Sequence, residues 1–156
     1  MANEIDRSTP PLQSLFQEVI LDHYNRPRNR GEMEAPTAVV HMNNPTCGDE
    51  VVLRVKLDGD RIVDAKFEGS GCSISQASIS MMTQLLKGKT TQEAVVAMRR
   101  FTEMMHGDAE AARDKQLGDL RSLAGVSKFA ARVKCALLGW NALEEALKEK
   151  DQVSGE

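Results

Sequence analysis

The sequence predicts an α+β fold: one helix, then a three-stranded antiparallel sheet, then further helices. Three observations carry that reading. Apolar residues recur at three- and four-residue steps before position 25, alternate with polar ones across the middle of the chain, and return to helical spacing after about position 73. A short glycine turn joins the second and third alternating runs, so the strands follow one another as a meander.

Leu12, Leu15, Phe16, Val19, Ile20 and His23 share one face of an amphipathic helix that begins after Pro10-Pro11 and ends at Asn25-Arg26-Pro27. Residues 28–36 are polar, contain Gly31 and Pro36, and read as a connection. Thr37 to Met42 forms the first strand. In the second, Val51, Leu53, Val55 and Leu57 alternate with Val52, Arg54 and Lys56, and Asn43-Asn44-Pro45-Thr46-Cys47-Gly48 is the loop between the two. Asp58-Gly59-Asp60 makes a hairpin turn onto a third strand, Ile62 to Phe67.

Gly69-Ser70-Gly71-Cys72-Ser73 delivers the chain into a helix that runs to about Leu86 and closes at Lys87-Gly88. Thr90 and Glu93 have capping-box spacing, which starts another helix at about Thr91 and carries it to Met104-Met105. Residues 107–119 are charged or small and read as a surface excursion with a short helix. From Lys128 to Lys148 the stripe Phe129, Val133, Leu137, Trp140, Leu143 and Leu147 defines a long amphipathic helix. The organisation expected is a flexible tail over 1–11, a single domain over 12–148, and a second flexible tail over 149–156.

A chain of 156 residues suits one hydrophobic core, and 41% hydrophobic with 28% charged residues is ordinary globular composition. Aromatics make up only 4%, and eight methionines take over part of the filling. A net charge of −3 supplies no basic field for nucleic acid or an anionic membrane surface. The first eleven residues have neither a signal peptide's apolar core nor a transit peptide's arginine bias, and no apolar run is long enough to span a bilayer. The expected location is the cytoplasm. There a reducing environment keeps three cysteines as thiols, which leaves packing, metal binding or nucleophilic chemistry.

The surroundings of each cysteine bear on that choice. Cys47 lies in the polar turn Pro45-Thr46-Cys47-Gly48-Asp49-Glu50, where burial offers a thiol little. Positions i and i+2 point the same way in extended chain, so Cys47 and Asp49 can address one ion. Cys72 stands at a helix start, where unsatisfied N–H groups and the helix dipole favour thiolate. The alternative for Gly69-Ser70-Gly71 is a merely flexible strand-to-helix turn. Cys135 falls roughly 150° from the middle of the apolar stripe of its helix, with Arg132 one turn earlier on the same side, near enough to steady a thiolate. The commoner alternative for an isolated arginine is a solvated one.

The cysteines are too far apart for a zinc-finger repeat, so any common site is assembled by the fold. Three thiolates with one carboxylate suit a borderline ion such as zinc or iron in roughly tetrahedral coordination, more exchangeable than a four-cysteine site. Competing signals are weaker. Gly88-Lys89-Thr90 imitates the end of a phosphate-binding loop, but Thr83 stands where that loop needs glycine. His23, His41 and His106 read as a helix-end residue, a strand residue and the start of the excursion, none in a cysteine–histidine catalytic motif. Met81-Met82 and Met104-Met105 read as filler.

Four segments together resemble a known family. Gln17–Asn29 (QEVILDHYNRPRN), Asn43–Asp49 (NNPTCGD), Phe67–Ser78 (FEGSGCSISQAS) and Gly125–Cys135 (GVSKFAARVKC) are similar to the U-type iron-sulfur cluster assembly proteins, above all the SufU branch, over about residues 12–148. Lys134 stands where the related IscU branch has histidine, and Phe129-Ala130-Ala131-Arg132 does not reproduce that branch's proline-containing chaperone motif. The stretch from about Ala97 to Gly118 looks like the insertion that marks SufU, while Ala130 departs from that branch's usual proline.

The resemblance implies helices packed on the three-stranded sheet and zinc held by Cys47, Asp49, Cys72 and Cys135. It further implies that Cys47 accepts persulfide sulfur from a SufS-type pyridoxal-phosphate cysteine desulfurase, for a downstream iron-sulfur scaffold. In the family picture a histidine of the partner replaces the acceptor thiolate at the zinc. Arg132 would then stabilise the thiolate or persulfide. The expected activity is that of a sulfurtransferase working with its desulfurase, without small-molecule turnover of its own. Two alternatives use the same residues: a scaffold that assembles and transfers a [2Fe-2S] cluster, and an interaction module whose zinc is structural.

Overall fold

The alternating segments pair as an antiparallel sheet in the order β1-β2-β3, built from β1 (Ala38–Asn44), β2 (Asp49–Asp58) and β3 (Arg61–Ser70). The structure, a computed structural model, describes residues 12–46 and 48–154, with side chains from 16 to 149. Residues 1–11, which include the expected N-terminal tail, lie outside the described residues, as do the side chains of Leu12 and Leu15. Among the described residues no helix is long and apolar enough to cross a membrane.

Register places Val40 opposite Leu53 and Leu53 opposite Phe67, which sets the apolar members of all three strands on one face. Ala38, Val40, Val51, Leu53, Val55, Ile62, Ala65 and Phe67 are all buried there. Strict alternation would turn either Ile62 or Ala65 outward. A register shift beside Lys56 and Leu57, where Leu57 pairs with Ile62 and Lys56 with Asp64, inserts exposed Val63 and restores both to the core. β1 runs two residues beyond the expected Met42, because Asn43 and Asn44 still pair with Glu50 and Asp49. The connection between β1 and β2 is therefore shorter than its polar composition suggests.

Helices α2 (Ser73–Leu86) and α4 (Ala130–Ser154) cover the buried face of the sheet, while α1 (Leu12–Asn25) packs on α2 and α3 (Thr91–Met105) packs beside α4. The expected capping box at α3 is present: the Thr90 hydroxyl accepts from the Glu93 N–H, and the Glu93 carboxylate accepts from the Thr90 N–H. Those bonds hold the Glu93 carboxyl below its usual pKa. Phe101 of α3 stacks on Trp140 of α4, with ring centroids 5.4 Å apart.

Two expectations need correction. Residues 107–119 are mostly exposed and contain the expected short helix, but the segment is tied to the core more closely than a surface excursion implies. A 3₁₀ turn at Ala111–Arg113 and a longer 3₁₀ segment at Lys115–Lys128, broken at Gly118, bury Ala111, Leu117, Leu120 and Leu123. Apolar residues here follow the three-residue repeat of 3₁₀ structure (Leu117, Leu120, Leu123, Val126), which an α-helical template passes over.

The second correction concerns α4. Phe129 is 63% exposed, and the buried side includes Cys135, Ala136, Leu138, Ala142 and Ala146 alongside Trp140, Leu143 and Leu147. Large side chains mark one flank of this helix, but the small ones let it come close to the core. At Gly139 an added Cβ would lie 2.9 Å from Ile79 of α2. α4 also continues to Ser154, through most of the segment expected to be a tail.

His23, read as a helix-end residue, is fully buried and joins three elements. Its Nδ1 is 2.8 Å from Ser80 Oγ on α2, and its Nε2 is 2.8 Å from Asp119 Oδ2 in the 3₁₀ segment. The Arg28 N–H also donates to Ser80 Oγ, and Gln84 donates to Asp119. Burial works against the Asp119 charge, but the bonds from His23 and Gln84 outweigh it and hold that carboxyl below its usual pKa.

Two substitutions test these joints by chemical denaturation. Gly139→Val should destabilise the chain by about 1–3 kcal/mol although valine is the better helix former, because the α2–α4 contact has no room for it. Asp119→Ala should cost about 1–3 kcal/mol by stranding a buried imidazole nitrogen. Unchanged stability in either would refute the corresponding contact.

Candidate metal centre

Asp49 opens β2 where the β1–β2 connection ends, and its carboxylate is 1% exposed. A buried carboxylate requires compensation. Part of it comes from the Cys72 N–H, which donates to Asp49 Oδ1 at 2.8 Å. Gly71 permits the approach: its φ is +146°, and an added Cβ would overlap Asp49 Oδ1. The glycines before Cys72 are thus required by close packing, and the merely flexible reading does not hold.

Cys72 is the N-cap of α2, with extended backbone angles. Its Sγ accepts from the Ser75 N–H at 3.5 Å, the bond a serine or aspartate hydroxyl or carboxylate ordinarily makes at this position. Sulfur at a helix N-terminus therefore sits among donors and at the positive end of the dipole. The Cys72 thiol lies 3.6 Å from Asp49 Oδ2. Ser75 Oγ donates to the Cys72 carbonyl at 3.1 Å and accepts from Gln76 Nε2 at 3.2 Å, so two further side chains brace the turn.

Cys135 arrives from α4, fully buried, with its Sγ 3.8 Å from the Ala131 carbonyl. Ligand atoms of Asp49, Cys72 and Cys135 all lie within 4.8 Å of one another, although the residues come from a strand, a helix cap and the last helix. Arg132, one turn before Cys135, is exposed and turns toward the same cluster. The charge of Cys72 first, then hydrogen bonding and charge at Cys135, hold its guanidinium above the ordinary arginine pKa. Of the expected site residues, Asp49, Cys72, Cys135 and Arg132 are thus gathered at one place, while Cys47 lies outside the described residues.

One carboxylate oxygen and two sulfur atoms, buried or half-buried and close enough to share a centre, suit a borderline divalent cation. The donor set fits the zinc or iron expected from the sequence. Sequence reasoning passed over Ser75. Cys72 with Ser75 three residues on has the spacing of a side-chain cap, a signal hidden because cysteine is not among the usual capping residues.

Comparisons with known proteins agree with this arrangement. The family model described as the NifU-like N terminal domain matches residues 15–136. The chain is 52% identical over 140 residues to the "Zinc-dependent sulfurtransferase SufU" of Bacillus subtilis, covering 90% of this chain and 94% of that protein. It is 47% identical over 137 residues to the "Iron-sulfur cluster assembly scaffold protein IscU" of Streptococcus pyogenes, covering 88% and 85%. A crystal structure named only as a hypothetical protein superposes with a TM-score of 0.81 at 47% identity, covering 88% of this chain and 99% of that one.

Gly71→Ala should disrupt the site with little effect on the sheet. The expected result is at least about a tenfold loss in affinity for added zinc, read by competition with a chelator, with the far-ultraviolet dichroism preserved. Affinity equal to that of the unmodified protein would show that the Gly71–Asp49 contact does not govern the donor geometry.

Proposed function

The chain belongs to the NifU-like N-terminal domain family and within it to the SufU type, and from that premise we propose that it is a zinc-dependent sulfur acceptor for iron-sulfur cluster assembly. The observation that carries the reading is the convergence of Asp49, Cys72 and Cys135 within 4.8 Å. In this reading those three residues and Cys47 hold zinc. Position 47 is two residues from Asp49, so covalent geometry keeps its Cα within about 7 Å of the Asp49 Cα. Zinc bound to such a set lowers thiol pKa values and keeps the sulfur atoms as thiolates.

Sulfur comes from a cysteine persulfide on a SufS-type pyridoxal-phosphate desulfurase. The Cys47 thiolate attacks the outer sulfur of that persulfide, and a new S–S bond forms on Cys47. The S–S bond of the donor breaks, and its electron pair leaves with the donor cysteine as a thiolate. Oxidised sulfur passes from one cysteine to another, so no external oxidant is consumed. Arg132 contributes a fixed positive charge beside Cys72 and Cys135, which receives the negative persulfide. The Asp49–Cys72 bond holds the remaining donors in place while Cys47 is engaged. The recipient is a downstream iron-sulfur scaffold.

A mixed incubation tests the proposal. With a SufS-type desulfurase and cysteine, intact mass spectrometry should detect one added sulfur, located on Cys47 and lost in Cys47→Ser. Absence of that label, together with unchanged desulfurase turnover, would rule out the acceptor role. A brown iron-sulfide chromophore on anaerobically purified protein, in place of colourless zinc, would favour the scaffold function carried by the name of the Streptococcus pyogenes relative. Arg132→Ala should slow sulfur loading about tenfold with zinc retained, and Arg132→Lys should recover part of the rate.

A further inference from the structure

The outer edge of β3 meets other main chain near its start and at its middle; at Ala65, whose N–H turns to the Asp64 carboxylate, and at the end that leads into Cys72, no main-chain partner is found among the described residues. Near its start the Ile62 N–H donates to the Lys89 carbonyl, and the Ile62 carbonyl accepts from Gly88. At its middle the Phe67 N–H donates to Asn29, and its carbonyl accepts from Gly31, making a short parallel bridge. Main-chain groups along a strand alternate in direction, so those of Gly69 face the same outer edge as those of Phe67. There, among the described residues, the Gly69 carbonyl meets only a side chain, Arg30 Nη2 at 3.2 Å. This end opens into a cleft of about 390 Å³ bounded by Tyr24, Arg30, Gly69, Ser70, Gly71 and Gln76.

A second, independent feature points into the same cleft. Gln76 is 5% exposed, and its Oε1 has no hydrogen-bond partner among the described residues. Its orientation is fixed by the neighbouring network: Ser75 Oγ donates to the Cys72 carbonyl, so the amide must turn its Nε2 toward Ser75 and its oxygen away. Oε1 is left against Gly69, as a buried acceptor on the cleft wall. Such an acceptor favours a ligand that brings an N–H.

We propose that this cleft receives an extended segment of the desulfurase, which adds to the free end of β3 as a short strand beside Cys72. The proposal rests on the sulfur-acceptor reading. An extended main chain supplies both kinds of group the cleft calls for: a carbonyl for the Gly69 N–H, and N–H groups for the Gly69 carbonyl and Gln76 Oε1. It would prolong the edge pairing that Asn29–Gly31 already makes with Phe67. Exposed Tyr24 and Arg30 flank the cleft and are placed to meet its side chains. Strand addition at Gly69 brings the partner's main chain within a few residues of Cys72, which registers the donor against the thiolate cluster.

Hydrogen exchange of the full-length, zinc-loaded chain, read residue by residue by NMR with and without intact desulfurase, tests this. Gly69 should exchange quickly in the unbound chain, unlike Phe67, and slow at least about tenfold in the complex. Tyr24→Ala should raise the desulfurase concentration for half-maximal sulfur loading about fivefold, with zinc content unchanged. Sulfur loading on Cys47 without protection at Gly69 would overturn the docking proposal and leave the acceptor reading standing. Protection at Gly69 without loading would support docking while the acceptor reading fails. Equal protection by free cysteine alone would identify a small zwitterion as the occupant and overturn the proposal.

Discussion

The hydrogen bond from the Cys72 N–H to the Asp49 carboxylate is the joint on which the site depends. It ties the first residue of one strand to the cap of the following helix, at 2.8 Å and nearly out of reach of water. A carboxylate in that position is costly unless donors and positive charge answer it. The backbone at the start of α2 provides the donor, the helix dipole adds to it, and Gly71 leaves the space that the approach requires. The same turn gives Cys72 its own donor from Ser75, so the feature that accommodates the carboxylate also prepares the thiol.

Cys135 reaches this joint because α4 lies close to the core, and small side chains make that closeness available. Ala136, Ala142 and Ala146 are buried, and Gly139 fits against Ile79 with no space for a Cβ. Bulkier residues on that side would lift the helix and carry Cys135 away from Asp49 and Cys72. The approach of α4 is set upstream as well. Residues 115–128 run directly into it, and the contact of Asp119 with buried His23 fastens them to α1 and α2. His23 is far from the metal site in role, yet it helps fix where Arg132 and Cys135 enter.

Much of this was legible in the sequence. Strand alternation, the glycine hairpin and the Thr90–Glu93 capping box are local signals, and each specifies its element without help from the rest of the chain. Cys72 was legible as a candidate donor too, since a cysteine after paired glycines at a helix start has little to gain from packing. Burial around α4 was not. Apolar periodicity weighs side chains by size, and it set Cys135 apart from the stripe of Trp140 and Leu147 when contact geometry puts it inside. The 3₁₀ segment escaped for a related reason: its period is three, and the charged residues between its leucines resemble a loop. His23 does stand in the last turn of its helix, but its buried bonds were not legible because its partners, Ser80 and Asp119, are distant in sequence and no local pattern connects them.

The division of labour among the donors follows from where each is anchored. Asp49 and Cys72 are locked to each other by a backbone hydrogen bond, and Cys135 is buried in a long helix, so these three form a frame that cannot readily adjust. Cys47 belongs to the short connection between β1 and β2, next to Gly48 with its φ of +69°. In the proposed reading the nucleophile is better carried on a connection than on a strand or helix, because ladder bonds and core contacts hold the strand and the helix in place. Frame residues gain by being immobile, since they keep the vacated position defined. The frame favours the acceptor role proposed for Cys47, since moving Cys72 would break a helix cap and moving Cys135 would open the core.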